Sequence, residues 1–236
     1  MAGYGASGGP AVSAAAEVQR RLWGTDPQAW ADLAESHNQP LFEAVLDAAA
    51  VGAGTRVLDV GCGSGLTLVL AAQRGALPSG LDVSPGLLGV AHERLPDADL
   101  REGDMETLPF GDAAFDAPER SQGTVVHEAM SALSPPEQAG DHAPYALSAP
   151  GNLEAALASA ALMVVDSGEV VCHWRYASMD DAVRALLCSA GGARAREAAG
   201  EHAVREVLNQ ALVQFQNAQT GVVTMKNTFR WIAACR

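Results

Sequence analysis

Residues 56–82 read RVLDVGCGSGLTLVLAAQRGALPSGLD, and this stretch decides the fold. A short apolar run over 55–60 has the β-branched character of a buried strand and breaks off into Gly61-Cys62-Gly63-Ser64-Gly65. Apolar residues resume over 66–74 and stop at Gly75, where a glycine suits a helix C-terminal cap. A second strand is predicted over 78–83. Strand, helix and strand in that order imply parallel strands joined by a right-handed crossover, and so an α/β sheet.

The pattern extends in both directions. Downstream, Ser84-Pro85 supplies a cap and a first helical turn for a helix reaching about residue 95, and a third strand is expected over 100–103. Upstream, residues 1–10 are rich in Gly, Ala and Ser and read as a disordered tail. Three helices are expected next, over 11–23, 27–37 and 40–50, with Asp26-Pro27 and Pro40 as start signals. Beyond Asp116 regularity fades. Residues 117–151 hold five prolines and one β-branched cluster, Thr124, Val125 and Val126, and read as an irregular linker. Helices are expected again over 152–161, from Ser178 (with Asp181 at capping-box spacing) and over 194–216, with strands over 162–165, 169–173 and 222–233.

The glycine spacing discriminates between nucleotide-type ligands. A phosphate-binding P-loop needs a lysine after its glycines, and the chain's single lysine is Lys226. A dinucleotide fingerprint needs Gly-x-Gly-x-x-Gly, but Leu66 or Leu68 falls where its third glycine belongs. Asp59-x-Gly61-x-Gly63-x-Gly65 instead satisfies Asp-x-Gly-x-Gly-x-Gly at every position, the loop of S-adenosylmethionine (SAM) enzymes. Charge agrees with that. Asp59 can face the cationic methionyl part of SAM, while loop N–H groups and the helix N-terminus suit its carboxylate. Asp82 ends the second strand 19 residues after Gly63, near the spacing expected of an acid on a ribose hydroxyl pair. Asp104 follows the third strand, where it can accept from an adenine amino group beside Met105.

With these motifs in hand, VLDVGCGSG, GLDVSPGLL and GDMETLPFGDAAFD closely resemble successive motifs of UbiE-like (methyltransferase type 11) class I SAM-dependent methyltransferases. QAWADLAESHNQPLFEAVLDA looks like the lid helices of small-molecule members, and MKNTFRWIAACR like their last antiparallel strand. The resemblance covers most of residues 17–236. It implies a Rossmann-like methyltransferase sandwich in one domain over 11–236, with a helical lid at 11–50, a SAM-binding half at 51–116 and C-terminal helices and strands at 152–236. It implies cofactor contacts from Trp30, Asp59, Gly61, Cys62, Gly63, Gly65, Asp82, Val83, Ser84, Asp104 and Met105, and no metal.

The chain departs from that pattern after Ala117. The fourth strand, a helix, a Gly-rich turn and the fifth strand are missing, as if one β–α–β unit had been removed. The missing strands are central ones, so a reduced or rearranged sheet is expected, completed by the final strands or by a second copy in a homodimer. The lost unit is also where such enzymes commonly hold the acceptor and a base. No residue inherits that role by motif. His127 is the nearest candidate, and a surface position is the blander reading of it.

The bulk properties are consistent with one substrate class. A net charge of −13 disfavours nucleic acid and anionic membranes as partners. Four cysteines without paired spacing indicate free thiols in a reducing, cytoplasmic setting. The expectation is methyl transfer from SAM to a small-molecule acceptor. The rivals are a SAM-binding or structural paralogue without activity and, against the glycine spacing, a nicotinamide-dependent oxidoreductase.

Overall fold

The computed structural model describes residues 13–111, 114–115, 151–159 and 161–235. The expected tail at 1–10, residues 117–150 of the linker, the cluster at 124–126 and His127 lie outside the described residues.

Three helices precede the first strand: α1 (Ala14–Trp23), α2 (Pro27–Leu33) and α3 (Gln39–Ala48). The side chain of Ser13 accepts from the Ala16 amide, and that of Asp26 from the Ala29 amide, so the first two start where capping chemistry puts them. The single helix expected over 27–37 is interrupted. It ends at Leu33, Ala34 turns to φ −119°, and a 3-10 turn (Glu35–Asn38) leads into α3. That kink brings the Glu35 side chain inward, which a straight amphipathic reading could not show.

The three expected strands form: β1 (Arg56–Val60), β2 (Leu77–Asp82) and β3 (Asp99–Glu102), joined through α4 (Leu66–Gln73) and α5 (Pro85–Arg94). They are parallel, in the order β1-β2-β3, with Asp59 opposite Gly80 and Asp82 opposite Glu102. Their carboxyl ends therefore come out together. Gly80 shows how closely the layers approach: a Cβ there would lie 2.8 Å from Cys62 Sγ, Leu68 Cδ1 and Leu100 Cδ2. Cys62, Leu68 and Leu88 fill one side of the sheet, while Leu46, Leu70, Ala71 and Ala76 form a core with Phe42 of α3.

The C-terminal part contains α6 (Asn152–Ser159), β4 (Met163–Tyr176), α7 (Met179–Leu187), α8 (Ala190–Ala199), α9 (Glu201–Leu212) and β5 (Val223–Cys235). Two expectations are corrected here. The strands expected at 162–165 and 169–173 are one strand, β4. The chain runs straight through Asp166, Ser167 and Gly168, between the two expected strands, with a bulge between Val164 and Asp166; with no Cβ at Gly168 there is room for the Trp231 indole, which a Cβ would meet at 2.7 Å. The helix expected over 194–216 is two helices. It starts earlier, with Ser189 capping α8, and is broken at Gly200, whose φ of +81° no helix interior accommodates.

β4 and β5 pair antiparallel with each other and form a separate two-stranded ribbon. The final strands do not close on β1 among the described residues. The ribbon lies instead against α3 and the 3-10 turn, where Trp174 Nε1 donates to Asn38 Oδ1 at 3.1 Å and a His37 ring nitrogen lies 2.9 Å from the Arg175 carbonyl. A core of Tyr176, Val183, Leu187, Leu212 and Val223 receives Leu33 from the end of α2. No described helix is long and apolar enough to cross a membrane.

Candidate functional site

At the carboxyl ends of β1, β2 and β3 lies a cavity of about 490 Å³, within the range of small-molecule sites. Asp59, Asp82 and Asp104 each stand at or just beyond the end of one strand and border it. Gly61, Cys62, Gly63, Val83, Met105 and Trp30 also line it, so nine of the eleven residues singled out from the sequence meet around one space. The other two stand behind the wall. Gly65, at φ +84°, packs on Ala91, and Ser84 is fully buried with its hydroxyl capping α5 through the Leu87 amide.

Asp82 carries two backbone bonds. Its Oδ2 accepts from the Gly63 amide at 2.8 Å and its Oδ1 from the Ser84 amide at 2.7 Å. A carboxylate oxygen has two acceptor sites, so these bonds orient the group without exhausting it. Burial pushes its pKa up against the pull of the Ser84, Gly63 and Val83 amides. Asp59 is pushed up to about 6, first by burial and then by the neighbouring Asp82 and Glu35 carboxylates, with a hydrogen bond from Thr67 acting the other way. The Cys62 thiol is raised by burial and by the same two aspartates, which keeps it protonated and unsuited to act as a nucleophile.

Asp104 is turned toward the cover. Its Oδ2 accepts from the Ser13 amide at 2.8 Å and its Oδ1 from the Glu106 amide at 3.0 Å. Arg20 of α1 reaches Glu102 at 2.6 Å, so α1 is tied to the end of β3 at two points. Met105, 40% exposed, stands beside it at the cavity mouth. Trp30 meets Trp23 edge to face, with ring centroids 4.8 Å apart, and together with Phe42 they give the cavity an aromatic wall.

The loop amides depart from expectation. Gly61 and Cys62 donate to the Leu81 carbonyl, Gly63 to Asp82, Gly65 to the Cys62 carbonyl and Leu66 to Glu35 Oε1. These five N–H groups are bonded to acceptors of the protein itself, three to carbonyls and two to carboxylates, rather than left for the carboxylate of a ligand. Sequence reasoning also missed Glu35, Gln19, Thr67 and Glu106 as lining residues. Thr67, the second residue of the helix after the Gly-rich loop, was findable as the hydrogen-bond partner of Asp59; Glu35 carried no signal, because its inward turn depends on the break after Leu33.

Residues 57–137 match the family model described as a methyltransferase domain. A 71-residue stretch is 45% identical to an uncharacterized methyltransferase of Synechocystis, covering 30% of this chain and 34% of that one. Over 91 residues the chain is 42% identical to a demethylmenaquinone methyltransferase of Renibacterium salmoninarum, covering 38% of each. Among solved structures, a geranyl diphosphate C-methyltransferase from Streptomyces coelicolor superposes with a TM-score of 0.45 at 15% identity, over 95% of this chain and 99% of that one. The chain thus spans little more than a third of the length of the curated relatives it matches. Within the matched segment, the resemblance to class I SAM-dependent methyltransferases is borne out, as is a Rossmann-like α/β arrangement with a parallel sheet.

Proposed function

We propose that this protein is a SAM-dependent methyltransferase acting on a small-molecule acceptor. The observation that carries the reading is the convergence of three carboxylates, from the ends of three adjacent parallel strands, on one cavity beneath a helical cover. Its size and its acidic lining fit a cofactor that is cationic at one end and a nucleoside at the other. Asp59 faces the methionyl end, Asp82 the ribose hydroxyls, and Asp104 with Met105 and Val83 the adenine, while Trp30 and Trp23 close the space from above. Gly61 and Gly63 have open room where a Cβ would stand, which leaves the loop flush with the cavity.

When bound, SAM supplies a methyl group already activated by its sulfonium, so the protein's contribution is chiefly to orient and enclose. The aromatic wall and α1 cover the space above Asp59, whose carboxyl burial holds at a raised pKa. The net charge of −13 supports a small, non-nucleic-acid acceptor. No histidine lines the cavity among the described residues, and no base is assigned.

Calorimetry with SAM, S-adenosylhomocysteine (SAH) and NADH tests the cofactor, and transfer of labelled methyl to a panel of small acceptors tests the reaction. NADH binding without SAM binding would overturn the reading. SAM binding without transfer to any acceptor would favour a SAM-binding paralogue that has lost activity. The separate β4–β5 ribbon supports that second reading, since no described strand extends the sheet beyond β1. A homodimer completing the sheet would show in sedimentation as a species of twice the mass.

A further inference from the structure

Glu35 is the least expected charge in the chain. It heads the 3-10 turn of the helical cover, is 5% exposed and borders the cavity. Its Oε1 accepts from the Leu66 amide at 3.3 Å and its Oε2 from Arg94 Nη1 at 2.6 Å. The same Arg94 nitrogen donates to the Ser64 carbonyl at 2.8 Å. Carboxylate and guanidinium thus grip the Gly-rich loop on both sides of Gly65, one through the carbonyl before it and the other through the amide after it.

Stability alone explains this poorly. Glu35 is buried while Arg94 stays 28% exposed, and burying the carboxylate costs in desolvation much of what the pair gains in attraction. Position explains it better. Gly61, Gly63 and Gly65 all lie at positive φ, between 55° and 84°, a loop shape with little preference of its own. α4 has Gly65 as its N-cap and no side-chain cap from its own segment, and Glu35 supplies an acceptor to one of its orphan N–H groups from 31 residues away.

We infer that Glu35 is a cofactor-positioning residue, resting on the SAM reading above: it acts through Arg94 and the Ser64–Leu66 backbone to hold the loop in its ligand-receiving form. Docking of the cover and shaping of the loop are then one event. The role belongs to the Glu35–Arg94 pair, so the loss of either partner has the same effect as the loss of both.

Calorimetry with SAM and with SAH on wild type, Glu35→Gln, Arg94→Gln and the double variant tests this, at a temperature where circular dichroism shows every variant folded. Arg74→Gln is the control. It removes an ion pair to Asp47 and a bond to the Glu43 carbonyl, joining α3 to α4 away from the cavity. Glu35→Gln is expected to weaken SAM and SAH alike by at least fivefold, the double variant to be no worse than the weaker single, and the control to lose less than twofold. A change below fivefold, a loss confined to SAM, or additive losses would each overturn the assignment. Wild type binding neither ligand would instead sink the SAM reading itself, whereas normal wild-type binding with an unaffected Glu35→Gln would remove only this role.

Discussion

The Gly63 amide donates to Asp82 Oδ2 over 2.8 Å, so the carboxylate read as a ribose acceptor also props the loop that faces the rest of the ligand. Affinity and loop order therefore share one side chain. Asp82→Ala is expected to weaken SAM at least about tenfold, one charged hydrogen bond's worth, and also to lower stability by about 1–3 kcal/mol because buried amides lose their acceptor. Asp82→Asn keeps one acceptor oxygen and should recover part of the stability but not the affinity. Calorimetry and urea unfolding on both variants check this; an unchanged SAM affinity in Asp82→Ala would refute the ribose role.

Asp59 links binding to pH. Its folded-state pKa of about 6 lies above the ordinary 3.8, chiefly through burial. The ligand-free fold is therefore penalised above pH 6 by the buried charge, and the penalty is relieved as pH falls from about 6 toward 4. A cationic ligand prefers the ionised form, so SAM affinity should rise as pH increases through 6, with proton release on binding near pH 6. Titrations at pH 5 and 7 in buffers of different ionisation enthalpy measure both effects. Affinity independent of pH across that range would place the methionyl charge away from Asp59.

Two glycines separate loop strain from ligand space. Gly65→Ala forces a side chain to φ +84° and sets its Cβ 3.0 Å from Ala91 Cβ, so a stability loss of about 1–2 kcal/mol is expected. Gly61→Ala, at φ +81°, meets nothing within 4 Å and should carry only the conformational strain, but its methyl borders the cavity and should weaken SAM as well. Paired unfolding and binding curves distinguish the two. Equal affinity loss per unit of stability in both variants would contradict the separation.

Gly80→Ala tests the packing under the site. The added methyl would meet three side-chain atoms at 2.8 Å, one from the loop, one from α4 and one from β3, and an overpacking cost of about 1–3 kcal/mol is expected. A thermal midpoint within a degree of wild type would show that Cys62, Leu68 and Leu100 yield freely.

The half of the fold between residues 56 and 102 was legible because each signal there is local: apolar runs of strand length, glycines at forced φ, and serine or proline at helix starts. The same locality placed Asp59, Asp82 and Asp104 at one end of the sheet, since parallel strands in register carry their termini to one side. What escaped depends on distant partners. Gly168 interrupts the apolar run between two expected strands until Trp231 is seen lying over it, and Gly200 divides what apolar periodicity reads as a single helix. Glu35 becomes visible only after the chain kinks behind Leu33 and Arg94 arrives from the end of α5.

The separation of the ribbon from the parallel strands bears on the order in which the chain acquires structure. β1, β2 and β3 pair residues roughly 20 apart along the chain, whereas β4 and β5 pair residues roughly 50 to 70 apart, at a larger loop-closure entropy. The parallel half is thus positioned to consolidate first, with α3 and the 3-10 turn as the surface on which the ribbon then closes. In pulsed hydrogen exchange, amides of β1 and β2 should gain protection ahead of those in β5.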